Sequence, residues 1–327
     1  MLILSRSEIE RLLPAAEYDD LVAAAFRARA ERRAMATGLL HADAEQGEFH
    51  VKTGGSAAAG RSYFGLKANG GFFGNPSRNG LPAIQGVIYL ADAATGAPLA
   101  LLDSMAITWH RTGAATAVAV RLLARADAHV ATICGAGTQG RIQLHALARA
   151  RRLTAAYVWS RNDRRARELA HEMTTELGIP VLATHDLRGA TLSSDLIATC
   201  TPATRAYLSL ADIRPGTFIA AIGADSPMKQ ELDPRLVASS VVVADIAEQS
   251  AVVGEVHHAI AAGYMTRDDI RAELGELIAG QQLAHRRDDD IVIFDSTGTA
   301  LQDVAAAAAV YERALAEGVG HHVALDR

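Results

Sequence analysis

Gly135, Gly137 and Gly140 lie in the stretch ICGAGTQG, residues 133–140, with the spacing G-x-G-x-x-G. The apolar run HVATIC precedes them and the amphipathic run RIQLHALARA follows, so the glycines join a strand to a helix. In that context the first glycine permits a tight turn, the second lets backbone approach a pyrophosphate, and the third allows close packing of helix on sheet. Unbonded N–H groups at the helix start attract an anion, and the motif predicts a dinucleotide site.

The next strand ends VWSRNDRR. NAD-selective sites usually place Asp or Glu there, about 20 residues past the glycines, to hold the ribose 2′-hydroxyl. Here Ser160 and Arg161 occupy the turn, with Arg164 and Arg165 one helical turn later, and a guanidinium there can pair with a 2′-phosphate. Both NAD(H) and NADP(H) stay open, because these arginines also suit a solvated helix start with Asp163 or a backbone group meeting the ribose. Asp225 follows the apolar run TFIAAIG, and in a doubly wound sheet ligands collect beyond the carboxyl ends of strands. A carboxyl group there can exchange a proton with a substrate nitrogen, although GADSP is also good turn sequence.

The histidine pairs His257–His258 and His321–His322 carry no carboxylates in a recognisable ligand pattern, and adjacent residues on a helix point apart, so no metal site is expected. No G-x-S-x-G nucleophile turn is present. Cys134 and Cys200 both end apolar runs without metal-ligand spacing, which fits reduced core thiols in a cytoplasmic protein.

The elements that must carry these groups follow an alternating pattern from His129 onward. TAAYVWS reads as a strand, and residues 162–178 as a helix with Asn162 as N-cap and Gly178 as C-cap. IPVLA, DLIATC, TFIAAIG and VVVADI read as buried parallel strands. The fold class expected is α/β, a Rossmann-type doubly wound parallel sheet with a mainly β domain before it, because residues 49–105 are rich in glycine, short strands and turns. Residues 112–125 read as a connecting helix. MLIL reads as a strand entering a helix through a capping box of Ser5 and Glu8 rather than as a secretory signal. The chain closes with a strand, IVIFDSTG, and an Ala-rich helix whose five consecutive alanines suit close packing.

A length of 327 residues suits two domains. Half the residues are hydrophobic but only 5% aromatic, which favours packed helices and α/β layers. A net charge of −5 with mixed signs argues against nucleic-acid binding, and no apolar run reaches membrane-spanning length.

The motifs GLKANGGFFGNP, GLPAIQG, TGAPLALLD, ITWHRTGAAT, GAGTQG, IGADSPMKQELD and FDSTGTALQDVAAA occur in that order, and together the chain resembles the ornithine cyclodeaminase/μ-crystallin family over nearly its whole length, from about residue 35 to the closing FDSTGTALQDVAAA. The resemblance implies a discontinuous substrate-binding and dimerisation domain, residues 1–115 with 302–327, around an NAD(P)-binding domain, residues 116–301, in a homodimer. It implies that Lys67 meets a substrate carboxylate and has a catalytic part, that Arg111 lies between substrate and cofactor, and that Asp225 is the catalytic acid/base. Thr112, Thr138, Gln139, Thr201, Gly223, Lys229 and Ser296 match cofactor-contacting positions. One departure stands out. The arginine that cyclodeaminases carry upstream of the lysine has no counterpart in GLLHADAEQGEFHVKTGG, and its work passes to Lys52, His41 or Arg61, or the substrate differs.

A carboxylate-bearing substrate needs a cation, and Lys67 and Arg111 supply one by charge-assisted hydrogen bonding. The expected activity is hydride transfer between NAD(P)H and a small imino acid, giving an L-amino acid, or the reverse. Lys52 and Arg61 would suit a second carboxylate, as in iminosuccinate; cyclic imine carboxylates are also open. A cyclodeaminase that uses NAD catalytically and releases ammonia is the alternative, and a protein that binds NADPH without turnover comes after it.

Overall fold

The computed structural model describes residues 1–58, 60–282 and 287–325. The chain forms two compact units, Met1–Ala114 with Thr299–Arg327, and Ala115–Gly298. Of the C-terminal stretch assigned to the first domain, residues 326 and 327 lie outside the described residues.

The first unit is built on a mixed sheet. Its strands are β1 (Leu2–Leu4), β2 (Met35–Ala44), β3 (Gly47–Ala58), β4 (Arg61–Gly71), β5 (Ile84–Asp92) and β6 (Pro98–Asp103). A two-residue strand, His321–His322, completes the order His321–His322, β1, β6, β5, β4, β3, β2. β1 and β6 run parallel and the remaining pairs antiparallel. Ser5 caps the helix Arg6–Leu12 with Glu8 closing the box, as the sequence predicts. The helix Ala300–Glu317 lies on β3 and β4, and its Ala305–Ala308 are buried. Its approach is close because the strands carry glycine where it crosses. A Cβ on Gly65 would stand 2.4 Å from Val304 Cγ2, and one on Gly54 3.1 Å from Ala300 Cβ.

The second unit is a parallel α/β sheet. Its strands are β7 (Val130–Cys134), β8 (Ala155–Trp159), β9 (Val181–Thr184), β10 (Leu196–Thr199), β11 (Thr204–Leu208), β12 (Phe218–Ala221), β13 (Gln230–Leu232), β14 (Val241–Ala244), β15 (Ala272–Glu273) and β16 (Val292–Asp295). The main sheet has the order β15-β14-β16-β12-β10-β7-β8-β9, and β11 pairs with β13 separately. The strand order reverses at β7, so the glycine motif lies at the switch point where such folds leave a crevice. Ile197, Ile219, Val242 and Ile293, buried on both faces, form its core with Leu232 and Val256.

The helix expected over residues 112–125 begins earlier, at Ser104, and runs to Leu123. Asp103 accepts the N–H groups of Met105 and Ala106 and so starts the helix ahead of a β-branched and aromatic run that reads poorly as helix. Arg111 and Thr112 therefore stand mid-helix, and Thr112 Oγ1 donates to Thr108 O at 2.6 Å. No helix among the described residues is long and apolar enough to cross a membrane.

Candidate functional site

In the second unit each glycine of the motif has its own reason. Gly135 has φ +126°, a conformation side chains avoid, and a Cβ there would lie 2.9 Å from Cys200 O. A Cβ on Gly140 would fall 2.0 Å from Gly135 O, so only glycine lets helix Thr138–Ala150 leave the strand at this angle. A Cβ on Gly137, at the N-cap, would point into open space and meet nothing within 4 Å among the described residues beyond its chain neighbours, the cradle a pyrophosphate would fill.

A cavity of 540 Å³ opens beside this cradle, lined by Gly137, Ser160, Arg161, Arg165, Thr201 and Arg205 among others, with no carboxylate among its described residues. Asp163 is turned to Arg167 and His185 instead. Ser160 Oγ accepts the N–H of Asn162, and Gln139 Oε1 accepts from Gln143. A larger hollow of 760 Å³ includes Pro215, Ser240 and Ile291, at the amino ends of β12, β14 and β16, the end of the sheet where such folds do not hold nucleotides. The residues therefore fit a dinucleotide at the glycine end. Ser296, just past β16, adds a buried hydroxyl without a hydrogen-bond partner among the described residues.

The loops after β10 and β12 are tied together by a residue the sequence reading missed. Glu231, fully buried, accepts the N–H and hydroxyl of Thr201 at 2.7 Å each, the Tyr207 hydroxyl at 2.8 Å and the Gly223 N–H at 3.0 Å. Burial raises its pKa. Behind it Glu255 accepts the N–H groups of Glu231 and Leu232, and Asp295 those of Glu255 and Val256. Asp225 follows β12, its side chain 42% exposed, with Lys229 Nζ 2.6 Å from its Oδ1. The lysine assigned to the cofactor thus forms an ion pair with the assigned acid/base. Cys134 and Cys200 are free thiols whose pKa values burial pushes well up.

In the first unit, Lys52 of β3 and Lys67 of β4 are direct cross-strand partners. Like charges so placed repel, and an anion must offset them. Asp303 supplies it from the crossing helix. Lys67 Nζ lies 2.6 Å from Asp303 Oδ2, and Arg111 Nε 2.8 Å from Oδ1, while Arg111 Nη1 donates to Gln302 Oε1 at 3.2 Å. Lys52, Lys67, Arg111 and Asp303 are 6%, 4%, 5% and 1% exposed, so the cluster is largely shielded from water. Burial, then the Arg111 charge, lowers the Lys67 pKa to about 7, with Lys52 adding to the effect. Arg111 and Lys67 hold Asp303 below the usual carboxylate range against the opposing effect of burial.

Arg61, expected beside these cations, is not brought to them. It stands six residues from Lys67 on β4, about 20 Å along an extended strand. Its guanidinium pairs with Asp92 at 2.6 Å and covers the Tyr63 ring. Asp303 itself has one sequence signal, a charged residue beside Gln302 in an otherwise Ala- and Val-rich helix. What it meets depends on packing.

Comparison with known proteins gives a consistent result. The family model for the ornithine cyclodeaminase/mu-crystallin family matches residues 1–318. A putative dehydrogenase of Rhizobium meliloti (strain 1021) is 39% identical over 324 residues, 98% of each chain. The iminosuccinate reductase of Paracoccus denitrificans (strain Pd 1222) is 36% identical over 329 residues, 99% of each chain. Among solved structures, Thermococcus litoralis Δ1-pyrroline-2-carboxylate reductase in complex with NADH and L-proline superposes with TM-score 0.93 at 33% identity, covering 99% of this chain and 100% of the other. An archaeal alanine dehydrogenase dimer with bound NAD gives TM-score 0.93 at 34% identity, covering 99% of each. With motifs, strand order and near full-length similarity in agreement, this chain is a member of the ornithine cyclodeaminase/mu-crystallin family.

Proposed function

We propose that the protein is an NAD(P)H-dependent oxidoreductase that converts a small imino acid to an L-amino acid, or runs the reverse dehydrogenation. The observation that carries this reading is the buried pair of cations, Lys67 and Arg111, that share the one carboxylate of Asp303 and suit a substrate carboxylate. Lys52 favours a substrate with a second anionic group, which places iminosuccinate ahead of pyrroline or piperideine carboxylate. Similarity to enzymes named for iminosuccinate, pyrroline carboxylate and alanine supports the substrate class.

When bound, the nicotinamide supplies or accepts the hydride. Gly135, Gly137 and Gly140 seat its pyrophosphate, and Glu231 fixes the Thr201 and Gly223 backbone beside it. Lys67 and Arg111 hold the substrate carboxylate. Asp225 exchanges the proton of the substrate nitrogen, with Lys229 stabilising its ionised form. Arg161 and Arg165, with no carboxylate in the described cavity lining, support acceptance of a 2′-phosphate. We also assign a cytoplasmic homodimer, the dimer by analogy with the archaeal alanine dehydrogenase.

The test follows reduced-nicotinamide absorbance with NADH and NADPH separately, offering oxaloacetate, pyruvate or glyoxylate with ammonia, and preformed cyclic imines. Oxidation by an imine is expected, fastest with oxaloacetate and ammonia, with NADPH serving at least as well as NADH. Asp225→Asn should bind cofactor as the wild type does and turn over at a small fraction of its rate. Ammonia released from ornithine with catalytic NAD, and no imine reduced, would overturn the reductase reading in favour of a cyclodeaminase.

A further inference from the structure

The hairpin of β2 and β3 gathers four side chains that the proposed chemistry does not use. His41 and His50 are direct cross-strand partners, as are Asp43 and Glu48, two residues nearer the turn. Side chains two apart on a strand share a face, so all four project from the same side. The hairpin turns through only Glu45 and Gln46 between the paired Ala44 and Gly47, which fixes the register.

The nitrogens and oxygens converge. His50 Nε2 lies 3.1 Å from Glu48 Oε1, and His41 Nε2 lies 3.9 Å from Glu48 Oε2 and 3.0 Å from Asp43 Oδ1. One ligand atom from each of His41, Glu48 and His50 fits within 4.8 Å of the others. Around an ion bound at about 2.0–2.1 Å, tetrahedral neighbours stand roughly 3.3 Å apart, so small rotamer adjustments bring this triad to coordinating distance. The imidazole rings meet edge to face with centroids 4.7 Å apart, so the two histidines already lie side by side on the hairpin face. Glu48 and His50 side chains are only 20% and 15% exposed, and His41 is 36% exposed, so the ligands are held yet reachable from solvent.

The geometry points to a divalent transition-metal site made by His41, Glu48 and His50, with Asp43 as a fourth ligand or a hydrogen-bonding neighbour. Two neutral imidazoles and one carboxylate suit Zn²⁺, Co²⁺ or Ni²⁺ over Mg²⁺ or Ca²⁺, which need oxygen-rich shells. Three ligands leave a coordination position open. The ion would clip β2 to β3 on the face that carries Lys52, two residues and about 7 Å beyond His50 along the strand.

The test uses the full chain stripped with chelator and dialysed, then titrated with ZnCl₂ and separately with CoCl₂. Expected are one tightly held ion per chain, a melting temperature raised by Zn²⁺, and visible Co²⁺ absorption of a four- or five-coordinate N/O site without thiolate charge transfer. His50→Gln and His41→Gln should each weaken the ion by about 100-fold or more, beyond what loss of an outer-shell partner costs, and abolish the thermal shift. Should either variant fold poorly, X-ray absorption of the Zn²⁺-loaded wild type decides, with two imidazoles and carboxylate oxygen expected. Absence of stoichiometric binding at micromolar metal, or binding that both variants retain, would overturn the site.

Discussion

The two units bury charge of opposite sign and treat it differently. In the first, two buried cations, Lys67 and Arg111, share the carboxylate of Asp303, which they hold ionised. In the second, Glu231, Glu255 and Asp295 lie close to one another, and burial raises the pKa of each. The carboxylates accept from backbone N–H groups and hydroxyls, so their task is complete in the folded chain: they tie loops. Lys67 and Arg111 have the capacity to take an additional anion. A buried charge whose partners are backbone is architectural, whereas an excess of one sign marks a place for ligand.

Removing the shared anion should have the largest effect. Asp303→Ala leaves Lys67 and Arg111 buried without it, and breaking a buried pair costs about 3–5 kcal/mol, read by denaturant unfolding. Unchanged stability would show that the cations relax to solvent. Lys67→Met removes one charge of the excess while keeping an unbranched side chain. It should leave the fold intact and raise KM for the imino acid by about 100-fold, corresponding to a charged hydrogen bond of roughly 3 kcal/mol.

On the acidic side, Glu231→Ala strands the Thr201 and Gly223 N–H groups and the Tyr207 hydroxyl, each an unmet donor worth about 1–3 kcal/mol. Cofactor affinity, read by fluorescence titration, should fall more than in Glu231→Gln, which keeps one acceptor. Equal affinity in both variants would remove Glu231 from any part in positioning those loops.

The pH dependence separates the clusters more finely. Lys67 has a folded pKa of about 7, below the ordinary lysine value of 10.5. It is therefore cationic in the free protein below pH 7, and affinity for a carboxylate should weaken above it by up to about tenfold per pH unit. The same group makes stability rise with pH between 7 and 10.5, because the unfolded chain there binds the proton that the folded one has lost. Lys67→Arg should flatten the binding profile. Asp295 has the opposite sign, raised by burial from 3.8 to about 7. Its favourable contribution is full below the ordinary value and is lost as pH rises through about 7. Asp295→Asn should therefore flatten the fall in stability across that window, read by unfolding at pH 4 and pH 8.

Much of the nucleotide unit was legible because its signals are local. A strand, three glycines at fixed spacing and a helix lie within about twenty residues, and φ at Gly135 and the closeness of Gly140 to Gly135 explain the spacing. The early start of helix Ser104–Leu123 was not legible, since the Asp103 cap outweighs the weak propensity of the residues that follow it. Arg61 looked equivalent to Lys52 as a spare cation until strand length carried it to Asp92.

The sequence by itself determined the glycine turn, the run of parallel strands, the presence of a mainly β part beside a parallel α/β part, and the motif set that marks the family. Only the tertiary structure decided which charges meet. Asp303 reaches Lys67 and Arg111 because a helix from the chain's end crosses glycines on two strands. Glu231 reaches Thr201 and Gly223 from β13, and His41 faces His50 through hairpin register. The glycine turn depends on backbone conformation within one segment, which local sequence specifies. Charge pairing across elements depends on which side chains packing brings within a few ångströms, and spacing along the chain carries no measure of that distance.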